Sequence, residues 1–228
     1  MSIRIGPGTM IAGFQHPGGG GGGGGGGFTT PTTAPTDPFG GSGPSYSFNG
    51  IDNALTIDVN TQSLDATGQA WCVEGFFYQS DSNPFPRVFS IGTYPSASIA
   101  ISLEGGTMYY WMNGGIVATP TKPNTITWNH FAFASDGTST SLYLNGNQVT
   151  SVNQTLPNIV GGILYIGAES PAGIPNANFG GFINSFRWTV GNQVYTGNFT
   201  VPTSALQTTQ ASDTNINAIT SGQVKLLM

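Results

Sequence analysis

From Ser45 onward, apolar residues come in short bursts that alternate with polar ones, and turn residues separate the bursts roughly every 8–12 positions. "SYSFNG" is the first burst, and "ALTIDV" sends Leu55, Ile57 and Val59 to one face. In "AWCVEGFFYQ", Trp71, Val73 and Phe77 share one face while Cys72, Phe76 and Tyr78 share the other, the pattern of a central strand covered on both sides. The series continues through "RVFSIG", "ASIAISLE", "TMYYWMNG", "GIVAT", "ITWNHFAFAS", "TSLYLNG", "NQVTSV", "GILYIG", "GGFINSFRWTV" and "VKLLM". Gly105-Gly106, Asn113-Gly114, Asp136-Gly137 and Asn145-Gly146 can supply the positive φ of tight hairpins. No window sustains a 3.6-residue period, so helix content should be very low. About a dozen antiparallel strands imply an all-β, two-sheet sandwich with one core.

Before Ser45 the pattern collapses. Residues 1–44 are dominated by Gly, Pro and Thr, with ten consecutive glycines from Gly18 to Gly27 and a "TTPTTAPTDP" stretch. The isolated apolar residues there cannot offset an ordering cost of about 1–2 kcal/mol per residue. This segment reads as an arm, extended or disordered without a partner, followed by a folded unit over 45–228. Its anchor candidates are Met10, Ile11, Phe14 and His16, with Gly18 and Gly27 bounding the glycine thread and Phe28 following it.

Composition narrows the function classes. Charged residues are 7% of the chain and the net charge is −5. The five cations, Arg4, Arg87, Lys122, Arg187 and Lys225, are scattered along the sequence without a basic stripe, which argues against a nucleic-acid partner. No apolar run reaches the ~18 residues of a membrane span, and the first residues lack the apolar stretch of a secretion signal. Cys72, the sole cysteine, excludes an intrachain disulfide, and its apolar neighbours suggest a buried inert thiol.

The phrases "SYSFNG", "WCVEGFFY", "ISLEGGTMYYWMNGG", "WNHFAFASDG", "LYLNGNQV" and "FGGFINSFRWTVGNQVYTGNFTVPTSAL" occur in an order that resembles the concanavalin A-like lectin/glucanase superfamily, in its laminin-G-like branch. The ending "VYTGNFTVPTSAL…VKLLM" is similar to laminin-G-like domains of phage and large-virus structural proteins. The resemblance implies a jelly roll whose last strand, Val224–Met228, pairs beside the first, Tyr46–Asn49, with "QTTQASDTNINAITSG" as a surface excursion. It also implies a non-enzymatic virion structural protein, a capsid decoration or tail component, anchored through its arm to other virion proteins. A homo-oligomer displaying the sandwich outward fits that role.

The same superfamily contains glycoside hydrolases, which need paired carboxylates flanking the bond. No two acids stand at i and i+2 on one strand: Glu74 is isolated in "CVEGFF" and Glu104 lies in the turn "LEGG". Catalysis is not expected. Asp81, Asp136 and Glu169 fall in loops without calcium-loop spacing, so neither metal nor cofactor is expected. His130 reads as a core histidine bonded to backbone. The alternative function is a lectin or adhesin recognising a host surface glycan, for which Tyr109, Tyr110, Trp111 and Asn113 are the candidates. Alternation puts Tyr109 and Trp111 on one face and Tyr110 on the other, so some of them belong to the core.

Overall fold

A computed structural model describes residues 35–41, 45–52, 54–80, 83–169 and 177–228. The arm residues Met10, Ile11, Phe14, His16, Gly18, Gly27 and Phe28 lie outside the described residues, as does Asp81.

Thirteen strands form among the described residues: β1 (Tyr46–Asn49), β2 (Leu55–Asp58), β3 (Trp71–Gln79), β4 (Arg87–Ile91), β5 (Ile99–Glu104), β6 (Thr107–Met112), β7 (Gly115–Ala118), β8 (Asn129–Ser135), β9 (Thr140–Leu144), β10 (Asn147–Val152), β11 (Ile163–Ile166), β12 (Gly180–Val190) and β13 (Val224–Leu227). No helix occurs among the described residues. Sheet A runs β1-β12-β3-β8-β9-β10, with β13 also on β12, and sheet B runs β2-β11-β4-β5-β6-β7. Every pairing is antiparallel, and the two sheets enclose one core, so the all-β sandwich expected from alternation is what forms.

Both faces of β3 are buried, as its pattern requires. Trp71, Val73 and Phe77 enter the main core with Trp188, Phe89 and Phe131, whereas Cys72 joins a second cluster with Tyr143, Val194, Tyr195 and Ile219 on the outer side of sheet A. Trp71 stacks on Trp188 with ring centroids 6.1 Å apart.

The closing strand departs from expectation. β13 does not pair with β1. β1 binds the first half of β12 (Tyr46↔Ile183 to Asn49↔Gly180), and β13 binds the second half (Arg187↔Leu227 to Thr189↔Val224). The 11 residues of β12 are long enough for two four-residue strands end to end on one edge.

The "QTTQASDTNINAITSG" stretch is also more than an excursion. Together with residues 191–206 it crosses the outer face of sheet A. Ile219 is buried there, and Phe199 lies flat on Tyr195 at a centroid distance of 3.6 Å. Residues 35–41 dock on the same sheet. Trp128 Nε1 donates to the Thr36 carbonyl at 2.6 Å, and Phe39 stands edge-on to Phe76 at 5.2 Å.

The Asn145-Gly146 turn serves both the hairpin and this cover. Its φ values are +50° and +77°, and the Phe199 amide donates to the Gly146 carbonyl at 2.9 Å. A Cβ on Gly146 would sit 2.2 Å from the Phe199 carbonyl oxygen. We expect Gly146→Ala to lower the urea midpoint, through both this clash and a left-handed backbone cost of about 1–2 kcal/mol. An unchanged midpoint would contradict the close approach.

Candidate functional site

Two charged groups of residues lie outside the main core, one on each sheet. On sheet A, β3 and β12 place Glu74 opposite Arg187. Strict alternation from Ile183, which faces the core, would have turned Arg187 inward too. A bulge with Ser185 at φ +50° shifts the register between Asn184 and Arg187, so Phe186 and Trp188 fill the core and Arg187 faces out beside Glu74. Glu74 is therefore not isolated. It accepts from Arg187 Nη2 at 2.6 Å and Nε at 3.0 Å, and from the Tyr195 hydroxyl at 2.6 Å, while His130 Nε2 lies 3.2 Å from Oε2. Arg187 also donates to the Gln207 carbonyl and to Gln210 Oε1, both supplied by the C-terminal cover.

All four charged or polar side chains of this group are buried. Burial pushes the Glu74 carboxyl up, but the Arg187 guanidinium, the His130 ring and the Tyr195 hydroxyl outweigh it and bring it down to about 2. Burial and the negative Glu74 push the Cys72 thiol well up, so it stays protonated. His130 is a core histidine as expected, but its partner is a carboxylate rather than backbone. Its Nδ1 makes no hydrogen bond among the described residues, and its ring is surrounded by those of Phe76, Phe199 and Tyr195. This group is closed to solvent and acts as internal structure.

The other group occupies the outer face of sheet B. Pairing aligns Tyr165, Ser90, Ala100, Trp111 and Ile116 across β11, β4, β5, β6 and β7 in one row, and Arg87, Ser102 and Tyr109 in the next. Trp111 forms a small cluster with Ala97 and Ala100, away from the main core, and half-buried Tyr109 packs against it. Over Trp111 stands Tyr94, from the β4–β5 loop, edge-on at a centroid distance of 5.6 Å and 62% exposed.

The hydrogen bonds of this face run from the aromatics to carboxylates. Trp111 Nε1 donates to Ser102 Oγ at 3.1 Å, and Ser102 donates to Glu104 Oε1 at 2.9 Å. The Tyr94 amide donates to Glu169 Oε1. Arg87 lies between the two acids, with Nη1 3.1 Å from Glu104 and Nε 3.4 Å from Glu169. Glu104 closes β5 rather than lying in the turn, because it pairs with Thr107 of β6, and its carboxylate is held by Arg87 and Ser102.

Of the four glycan candidates, the structure brings Tyr109 and Trp111 together. Tyr110 goes to the core, where its hydroxyl donates to the Tyr143 carbonyl at 2.7 Å. Asn113 takes φ +52° in the β6–β7 turn and spends its amide on Gln154 Oε1 and the Thr155 carbonyl. Sequence reasoning missed Tyr94, Arg87, Ser102 and Glu169. An aromatic in a Gly/Pro/Ser loop, "GTYPSAS", was the one available signal.

Asp136 is a turn former, its carboxyl held well below the usual range by the Ser139 and Thr138 amides. Glu169, the other loop acid, is held by Arg87, and the described residues contain no cluster of metal-ligating side chains. Arg87 and Arg187, scattered along the sequence, are both buried ion-pair partners.

The sheet A group yields a stability prediction. Arg187→Leu leaves Glu74 buried without its cation and should cost about 3–5 kcal/mol. Because Glu74 titrates lower in the fold than its ordinary value of 4.5, its contribution is complete above that pH and is lost as pH falls toward about 2. Denaturant titrations of the parent chain should show this acid loss, and Glu74→Gln should flatten it. Equal slopes in the two proteins would contradict the assignment.

The family model of the concanavalin A-like lectin/glucanases superfamily, in its laminin-G-like form, matches residues 49–190. No curated protein matches the sequence. In fold, the chain is similar to a candidate carbohydrate-binding protein from Bacteroides ovatus, with 14% identity and a TM-score of 0.50 over 80% of this chain and 50% of that one. It is also similar to a heptameric pentraxin from Limulus polyphemus (17% identity, TM-score 0.46, 62% of this chain and 73% of that one). A third likeness is to domain 4 of an extracellular arabinanase from Geobacillus stearothermophilus, solved with arabinotriose (18% identity, TM-score 0.47, 64% of this chain and 70% of that one). At such identities the likeness is one of fold. The family match spans more than half of the chain, and the chain belongs to the concanavalin A-like lectin/glucanases superfamily.

Proposed function

We propose that this protein is a non-catalytic glycan-binding domain whose binding face is the outer side of sheet B around Tyr94. The observation that carries this reading is Tyr94 itself, 62% exposed and propped edge-on over Trp111. Tyr94 presents an exposed aromatic ring braced by Trp111, and a sugar ring offers a matching apolar face. Polar groups converge beside it, as binding sites require: the Tyr109 and Tyr94 hydroxyls, Ser102 and Glu104. The outer side of sheet A is excluded by its own cover. The two carboxylates of the proposed face are both engaged by Arg87, which suits holding a ligand rather than a hydrolase's acid and nucleophile.

A second reading, display of this face by an assembled virion, draws support from where the chain emerges. Residues 35–41 lie on sheet A, on the opposite side of the sandwich from Tyr94. A tether preceding residue 35 would therefore leave the Tyr94 face pointing away from its anchor. That role, and an arm contact with other virion proteins or further copies of the chain, remains part of the proposal.

Glycan binding is tested by screening the full chain on an array of polysaccharides and then comparing Tyr94→Ala with Ile126→Ala. Ile126 is equally exposed, at 66%, but precedes β8 on sheet A. Both substitutions should change stability by less than about 0.5 kcal/mol. Tyr94→Ala should lose at least tenfold in affinity and Ile126→Ala none. Equal binding by both variants would sink the site.

A further inference from the structure

We infer that the ligand of the Tyr94 face is an uncharged polysaccharide, bound through its hydroxyl groups, and not an anionic one. This rests on the glycan reading above and specifies its chemical class. An unpaired cation favours an acidic sugar through charge-assisted hydrogen bonds, so the placement of the cations decides between the two classes.

Among the described residues they are Arg87, Lys122, Arg187 and Lys225. Arg187 is buried on the other sheet against Glu74. Lys225 lies on β13, also in sheet A, and donates to the Gly222 carbonyl. The Lys122 amide is bonded to Gly106 beyond the β5–β6 turn. Thr107, the residue next to that turn, is four positions along β6 from Trp111, a separation of about 14 Å at ~3.4 Å per residue. That exceeds a Debye length of about 8 Å at physiological salt, so the half-buried Lys122 stands apart from Tyr94 and Trp111 and borders the face only at Glu104, which pairs with Thr107.

Arg87 is the one guanidinium on the face, and it is already spoken for on two sides. One positive charge stands against two carboxylates, Glu104 and Glu169, which leaves one net negative charge. Both carboxylates are wired to the aromatic platform, Glu169 through the Tyr94 amide and Glu104 through Ser102 to the Trp111 indole. A sulfate or carboxylate brought to Tyr94 would meet those charges rather than a free cation.

The unused hydrogen-bonding capacity points the same way. Arg87 Nη1 and Ser102 both donate to Oε1 of Glu104, whereas Oε2 has no partner among the described residues and the side chain is 23% exposed. An ionised carboxylate oxygen only accepts, and sugar hydroxyls donate. The Tyr94 and Tyr109 hydroxyls, unbonded among the described residues, both donate and accept.

The test is affinity electrophoresis and calorimetry of the full chain against neutral probes (dextran, arabinan, galactan, mannan) and anionic ones (heparin, alginate, polysialic acid). Each would be run from about 0.01 M to about 1 M salt, over which the Debye length falls from about 30 Å to about 3 Å. We expect at least one neutral probe to bind, with less than about threefold change across that range. Glu104→Gln, which keeps the shape but weakens the acceptor, should reduce this binding several-fold. Tighter binding of an anionic probe, lost steeply as salt rises, would overturn the inference while leaving glycan recognition standing. No binding to either class would remove the glycan reading and the inference with it.

Discussion

A carboxylate in the middle of the central strand is the constraint from which much of this structure follows. Glu74 is fully buried, and an uncompensated charge there would be incompatible with the marginal stability of a domain. Arg187 resolves the problem only because the β12 bulge turns it outward at the residue opposite Glu74. The guanidinium has more donors than one carboxylate can satisfy, and Gln207 and Gln210 take the remainder. Those residues belong to the segment between β12 and β13. The ion pair thus ties the C-terminal cover to sheet A, with Tyr195 bonding Glu74 and Phe199 stacked on Tyr195.

Covering one sheet decides which outer face the described residues leave open. With the outer face of sheet A occupied by the C-terminal segment and by residues 35–41, the described residues leave the outer face of sheet B to present side chains. The β4–β5 loop folds back over that sheet, bonds to the β6–β7 turn through Asn113 and Gly114, and lifts Tyr94 above Trp111. Charge is disposed differently on the two sides. On sheet A, a carboxylate and a guanidinium are sealed together; on sheet B, two carboxylates share one guanidinium and one of them stays partly exposed. The first arrangement is closed to solvent, and the second leaves a carboxylate partly open to it.

The strands were legible because alternation is a local property. "AWCVEGFFYQ" announces a strand buried on both faces from its composition alone, and that is what β3 is. Tyr109 and Trp111 could be assigned to one face and Tyr110 to the other by parity, although parity does not say which face is the core. Tyr94 was hidden for the opposite reason. It sits in a loop without periodicity, and its position over Trp111 depends on contacts between segments that are distant in sequence. Glu74 and Arg187 likewise look isolated in one dimension, since 113 residues separate them.

The sequence by itself determined the class: antiparallel strands, tight Asn-Gly turns and one large core. Those outcomes depend on side-chain period and backbone propensity, which act over a few residues. Tertiary structure alone decided that β1 and β13 share one edge of β12, that a bulge reverses the parity of Arg187, and that the C-terminal segment roofs sheet A. The physical reason is that strand partners, registers and buried ion pairs are settled by free energies of contact between distant segments. No local pattern encodes those contacts.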